Sequence, residues 1–187
     1  MAITAGLSVA QLDLVKKGGI KSIYLVEHSD LNTMAGDAAA DLDFALTTSK
    51  MFGFEFELET ANWNFSATSE RGSTMVEHTI QWYIPNCSKT TMVRLNSLSN
   101  IPVLVLIRTQ AGKDWLVGHS AAYAALTGVQ NNQMYAMISS VEGDTGSAYS
   151  DSTGCTVTIT ARAGEMPAEC DATTFTHAST NDYVTVS

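Results

Sequence analysis

At 187 residues with a hydrophobic fraction of 45%, the chain is long enough for one domain, 1–187, to bury a full core without metal or disulfide staples. Its formal charge of −9, from 19 acidic against 10 basic residues, and its lack of a Lys/Arg cluster argue against tight nucleic-acid binding, which requires grouped cations to displace phosphate counterions. The widely spaced Cys87, Cys155 and Cys170 suggest neither a disulfide framework nor a zinc site, and predict free thiols in a reducing compartment. No run approaches the roughly 18 apolar residues of a membrane span. The opening MAITAGLSVAQLDLVKK has no basic region before an apolar run, so we expect a soluble chain without an export signal.

Met1 to Lys17 is mildly apolar without firm periodicity, which leaves an arm, a strand or a short helix open; with the Gly18-Gly19 turn, 1–19 is expected as an N-terminal arm. Ile20 to Glu27 then alternates with apolar residues on both sides, Tyr24 and Val26 against Ile23 and Leu25, which predicts a strand covered on both faces. From His28 to Ser49 the pattern dissolves into an oversized inter-strand loop. Leu31, Met34, Leu42, Phe44 and Leu46 make it too apolar for a linker, so it should order against something.

The segment from Lys50 to Ile84 carries strict period-two alternation. Phe52, Phe54, Phe56 and Leu58 oppose Gly53, Glu55, Glu57 and Glu59; Trp63, Phe65 and Ala67 oppose Asn62, Asn64 and Ser66. Val76, Ile80, Trp82 and Ile84 oppose Met75, Glu77, Thr79 and Gln81, with His78 a polar interruption on the apolar side. Pro85-Asn86 breaks the sheet, and Asn86 or Ser88 caps a helix over about Cys87 to Ser97 that turns Met92, Leu95 and Leu98 inward. A buried strand over Ile101–Ile107, a hairpin around Gly112 into Asp114–Gly118, and strands over Gln133–Glu142 and Cys155–Arg162 follow. Phe175, Tyr183, Val184 and Val186 suffice for one last strand or a docked extension. The predicted fold is mainly β (α+β): an antiparallel β-sandwich or barrel with one short flanking α-helix.

No catalytic motif stands out, and we expect neither an enzyme nor a cofactor. Glu55, Glu57 and Glu59 share a strand face, where crowded carboxylates raise one another's pKa, but a solvated sheet face accounts for them. His28, His78, His119 and His177 never fall at metal-ligand spacing. Gly118-His119-Ser120 has Ala122 where a hydrolase elbow needs glycine. Glu142, Asp144 and Asp151 match no calcium loop, and turn chemistry explains them. Trp63, Trp82 and Trp115 are candidates for a stacking platform, although alternation places at least the first two in the core.

The order of these parts resembles the major tail tube proteins of tailed bacteriophages, particularly those infecting Bacteroidetes. The resemblance runs over most of the chain: Gly18-Gly19-Ile20 opening IKSIYLVE, Asp30-Leu31 starting the long loop, MFGFEFELET, VEHTIQWYIP, the short helix, VLVLIRT, GKDWLVG and TVTITARAGEMPAE. Where such proteins often carry an Asp-Asn-Gly-like turn, this chain has Asp151-Ser152-Thr153-Gly154. The resemblance implies a virion structural subunit, made in the host cytoplasm, that assembles with itself into stacked hexameric rings forming the conduit for genome ejection. Tape-measure, baseplate or terminator proteins would be its partners, and DNA only a non-specific cargo. Related folds occur in type VI secretion and contractile injection tubes; a head-decoration or receptor-binding β-sandwich is the alternative. In such a tube, Leu31, Met34, Leu42, Phe44 and Leu46 are expected at inter-subunit contacts, and Glu55, Glu57, Asn64, Ser66 and Glu77 facing the lumen.

Overall fold

The computed structural model describes residues 18–37, 40–47, 50–54, 56–57, 59–70, 72–85, 88–121, 133–144, 153–170, 175–177 and 183–186, with only the backbone of 35–37, 40–43, 175–177 and 183–186. Its strands are β1 (Ile20–Glu27), β2 (Leu31–Asp37), β3 (Ala40–Leu46), β4 (Lys50–Phe54), β5 (Asn62–Glu70), β6 (Ser73–Pro85), β7 (Val103–Thr109), β8 (Asp114–Val117), β9 (Ala136–Asp144), β10 (Gly154–Ala163), β11 (Phe175–His177) and β12 (Tyr183–Val186). Among the described elements the one α-helix, α1 (Lys89–Leu98), follows β6.

Eight strands form one antiparallel sheet in the order β4-β1-β7-β9-β10-β6-β5, with β8 also paired to β7; β12 and β11 extend it past β4 to ten. Among the described residues the sheet is open, ending at β5 and β11, with no closed barrel. It curls nonetheless. Phe54 of β4 and Trp82 of β6 meet edge-to-face with centroids 6.3 Å apart, although they are distant in strand order, and the Glu57 N–H donates to the Tyr83 carbonyl at 3.1 Å.

The two-sided pattern of β1 has its physical cause in two separate cores. Ile23 and Leu25 enter the curl with Val105, Ile107, Ile80, Trp82, Val157 and Ile159. Tyr24 and Val26 face the other way, with Leu104, Leu106, Met51 and Leu116. Because β7 stands between both cores, its run of Val103 to Ile107 is buried throughout, as a strand covered on both faces requires.

The long-loop expectation for 28–49 is corrected. His28–Asp30 forms a 3-10 turn, and β2 and β3 pair as a separate two-stranded sheet, Leu31 opposite Leu46 and Met34 opposite Phe44. Leu31, Phe44 and Leu46 are buried in the second core, with Met34 packed against it. Small residues and irregular registers between Leu31 and Thr33, and between Ala35 and Asp37, break the alternation that would have disclosed these strands.

The Phe/Glu strand is also shorter than its pattern. β4 ends at Phe54, and Glu59 adopts a positive φ of 66° in the following turn. Helix α1 begins where expected, the Ser88 hydroxyl accepting from the Thr91 N–H at 3.2 Å. Only Leu95 on it is buried, and Met92 is exposed instead of facing inward. The expectation of three free thiols fails as well, since Cys155 is disulfide-bonded; Cys170 is a buried free thiol.

Candidate assembly surface

Among the described residues the sheet has one long edge along which no further strand pairs. β5 pairs with β6 through nine residues, Asn62 opposite Gln81 to Glu70 opposite Ser73, and no described strand lies along its other side. β10 accompanies β6 only from Val76 to Pro85, so the tip of the β5–β6 hairpin projects past the rest of the sheet. Trp63 is half-buried, and every other β5 residue is exposed. Such an edge offers a row of backbone donors and acceptors to a further strand.

Register sorts the expected lumen residues. Ser66 lies opposite Glu77, Asn64 opposite Thr79, and Glu77 opposite Arg162, so these side chains share the wet face of β5, β6 and β10. Glu77 Oε1 accepts from Arg162 Nε at 3.1 Å and lies 3.0 Å from Nη2 as an ion pair, which compensates its charge locally. Glu57 is exposed and lies in the connection after β4, outside the three strands. Glu55 lies outside the described residues, as does the side chain of Leu42. Of the residues expected at subunit contacts, Leu31, Phe44 and Leu46 are fully used within the chain's own core.

On the opposite face, the polar interruption in β6 is accommodated by a tryptophan. The Trp63 indole N–H donates to His78 Nδ1 at 3.3 Å, and the rings stack with centroids 6.0 Å apart. Trp115 approaches Trp63 at 5.7 Å and Phe65 at 5.4 Å from Trp63 completes an aromatic cluster, while Trp82 is wholly core. Burial lowers the pKa of His78 to about 4. His119 is likewise lowered to about 4, by burial and then by His28, whose ring stacks on it at 5.8 Å. His28 is lowered by burial alone. These are neutral, packed imidazoles.

The Gly118-His119-Ser120 segment is structural too. Gly118 has φ +98° and lies so close to Val103 and Ala136 that a side chain does not fit. Ser120 is fully buried, its hydroxyl accepting from the Gly164 N–H at 3.3 Å. Glu142 and Asp144 sit exposed at the end of β9, with Asp151 outside the described residues. Among the described residues no three His, Cys, Asp or Glu side chains converge as a metal site.

Sequence reasoning missed one surface feature. A groove of about 650 Å³ runs between α1 and the β1–β4 pair, with Phe52, Phe54, Val93 and Leu98 on its apolar side and Glu27, Asp30, Arg94 and Ser97 also lining it. Phe52 and Val93 on its rim are each 57% exposed. The alternation of Phe52 with Phe54 is real, but helix α1 covers only the second of them, and a linear pattern carries no signal of where a helix stops.

No family model matches the chain, and no curated protein and no solved structure matches it.

Proposed function

We propose that this chain is a self-assembling structural subunit, the ring-forming protein of a phage tail tube, rather than an enzyme. The nine-residue β5, along whose outer edge no described strand lies, carries the proposal. Unprotected edges of this length aggregate unless a partner covers them, and a neighbouring copy in a closed ring does so without leaving a new edge. The curled sheet then serves as a sandwich-like wall unit, stacked ring upon ring. The six-fold number, the genome-conduit role and the tail partners come from the sequence resemblance alone and rest on analogy. A net charge of −9 suits a conduit that phosphate must traverse without adhering.

The test is sedimentation of the purified protein across concentration and salt, with negative-stain microscopy of the heaviest fraction. Rings or tubes are expected. Ala67→Lys, at an exposed position on β5, should abolish them and leave a folded monomer. A chain that stays monomeric under every condition, with or without its tail partners, refutes the proposal; a discrete trimer favours a decoration or receptor-binding module instead.

A further inference from the structure

The β2–β3 hairpin is held to the rest of the molecule mainly by side chains. Among the described residues no strand pairing joins it to the larger sheet, and a lone hairpin is marginal in water. Its seat is the second core, which Leu31, Phe44 and Leu46 enter, and a small cavity of about 20 Å³ that Met34 lines together with His78, His119 and Glu165. Its tether is the 3-10 turn His28–Asp30. There the His28 N–H donates to the Pro102 carbonyl at 2.9 Å, and the Thr47 N–H to the Asp30 carbonyl at 2.8 Å.

Two imidazoles meet at that tether. His28 and His119 are each 8% exposed, and their rings stack with centroids 5.8 Å and planes 22° apart. Nε2 of His28 is buried and has no hydrogen-bond partner among the described residues. Carrying only a lone pair, that atom suits a neutral ring. Protonated, it becomes a buried cationic donor without an acceptor, pressed against a second imidazole that also titrates.

The charged and titratable groups around the pair do not offset this. On the side of the turn, Glu27 and Asp30 flank His28 in sequence but line the open groove by α1. Beyond β10, Glu165 shares the small cavity with His119, and its Oε1 accepts from the Ala121 N–H. His78 of β6 borders the same cavity, and ahead of β9 the Tyr135 phenol ring meets His28 edge-on at 6.3 Å. Burial lowers both histidines of the pair, and His28 lowers His119 further.

We propose that His28 and His119 form a proton-operated latch: neutral, the stacked pair seats the β2–β3 hairpin on the main sheet, and protonated, it releases the hairpin while the larger sheet stays paired. Release exposes Leu31, Phe44 and Leu46 together with the part of the second core they cover. The latch is independent of whether subunits form a tube.

Hydrogen exchange of the full chain at pH 7.5 and pH 5, corrected for the intrinsic rates and read on peptides from 31–46, tests it, because protection reports how often a segment opens. The seated pair has the lower pKa, so the open hairpin binds more protons; the latch holds fully above pH 6.5 and weakens as pH falls toward 4. From His119 alone, about 4 seated and 6.5 released, hairpin protection should fall about thirtyfold at pH 5, and His28 adds to it. His28→Phe/His119→Phe keeps two stacked rings that cannot titrate and should reduce the fall to less than about threefold. His78→Gln should leave it unchanged. If the double variant does not fold, His28→Phe alone decides, with a fall smaller than that of the unaltered chain by about threefold or more. An undiminished fall in the folded double variant, or in His28→Phe, overturns the proposal, and so does a fall abolished by His78→Gln. Hairpin protection equal to that of β7 and β10 at pH 5 would mean that the hairpin opens only with the whole chain, which overturns it as well.

Discussion

Acidification should unfold this protein well above the pH at which most carboxylates titrate, and the structure sets the size of the effect. His78 and His119 each have a folded pKa of about 4 against an unfolded 6.5. Because the folded value is the lower one, the unfolded chain binds more protons between those limits. Stability is therefore complete above pH 6.5, declines as pH falls through 6.5 toward 4, and levels off below. At pH 5 each imidazole costs about 2 kcal/mol, so the two together remove about 4 kcal/mol relative to pH 8, out of the roughly 5–15 kcal/mol typical of a domain. His28 adds in the same direction. A specific contact reinforces the shift at His78, whose Nδ1 is the acceptor for the Trp63 indole and must give up that bond on protonation. Urea unfolding followed by tryptophan fluorescence at dilute monomer reads this as a midpoint falling by about 2 M between pH 8 and 5, for a slope of about 2 kcal/mol/M. His78→Gln keeps an acceptor for the indole but cannot titrate, and should remove about half of the drop. A midpoint that stays level between pH 7.5 and 5, or a drop undiminished in the glutamine variant, would refute the reasoning.

Phe44→Ala should destabilise the isolated subunit by about 3–5 kcal/mol, since Phe44 is only 2% exposed in the second core. An unchanged denaturation midpoint would return the β2–β3 hairpin to a purely inter-subunit role. Gly118→Ala should cost about 2–5 kcal/mol in the same assay, because its Cβ would lie 2.7 Å from the Val103 carbonyl oxygen at φ +98°. Gly112→Ala, at φ +80° with open space around it, should cost only about 1–2 kcal/mol, and equal losses at the two positions would contradict the packing argument. Thiol titration in denaturant should find one free thiol per chain before reduction and three after; three before reduction would exclude the Cys155 disulfide.

What the sequence discloses here depends on whether a residue's neighbours along the chain are also its neighbours in space. The two-faced β1, the buried β7, the wet-and-dry β6 and the Ser88 cap all follow from local pattern, because each face of a strand meets a single environment. β2 and β3 escape because a satellite hairpin buries few residues per strand, and register breaks remove their period. β4 misleads differently. Its alternation continues to Glu59 in sequence, yet the chain leaves the sheet at Phe54 to bridge toward Tyr83 across the curl, a long-range event with no local mark. The histidines show the same limit: nothing in VEHTIQW announces that Trp63, 15 residues earlier, supplies the donor that makes His78 an acceptable core residue.

If the proposed tube reading holds, the wet face bears on how such a conduit would avoid holding its cargo. The face that β5, β6 and β10 share carries Asn64, Ser66, Thr79, Thr160, Glu70 near the hairpin tip and a Glu77 engaged by Arg162, so one of its carboxylates is locally compensated. Both members of that ion pair are exposed, so it adds little to stability, about 0–1 kcal/mol. Its effect is on the field. Pairing leaves a hydroxyl- and amide-rich stretch around Glu77 that offers phosphate no cation, with Glu70 near the hairpin tip adding negative charge to the same face. If this face lines the channel, Glu77→Ala would leave Arg162 uncompensated at every repeat around a ring, and each such guanidinium contacting a phosphate adds about 0.9 to the salt dependence of DNA retention. Genome release from virions carrying that change should slow at low salt and recover at high salt, with Glu77→Ala/Arg162→Ala behaving as the unmodified protein. Release that is equally fast in all three would place the face on the outside of the tube, where its charge pairing would concern solubility and neighbours rather than DNA.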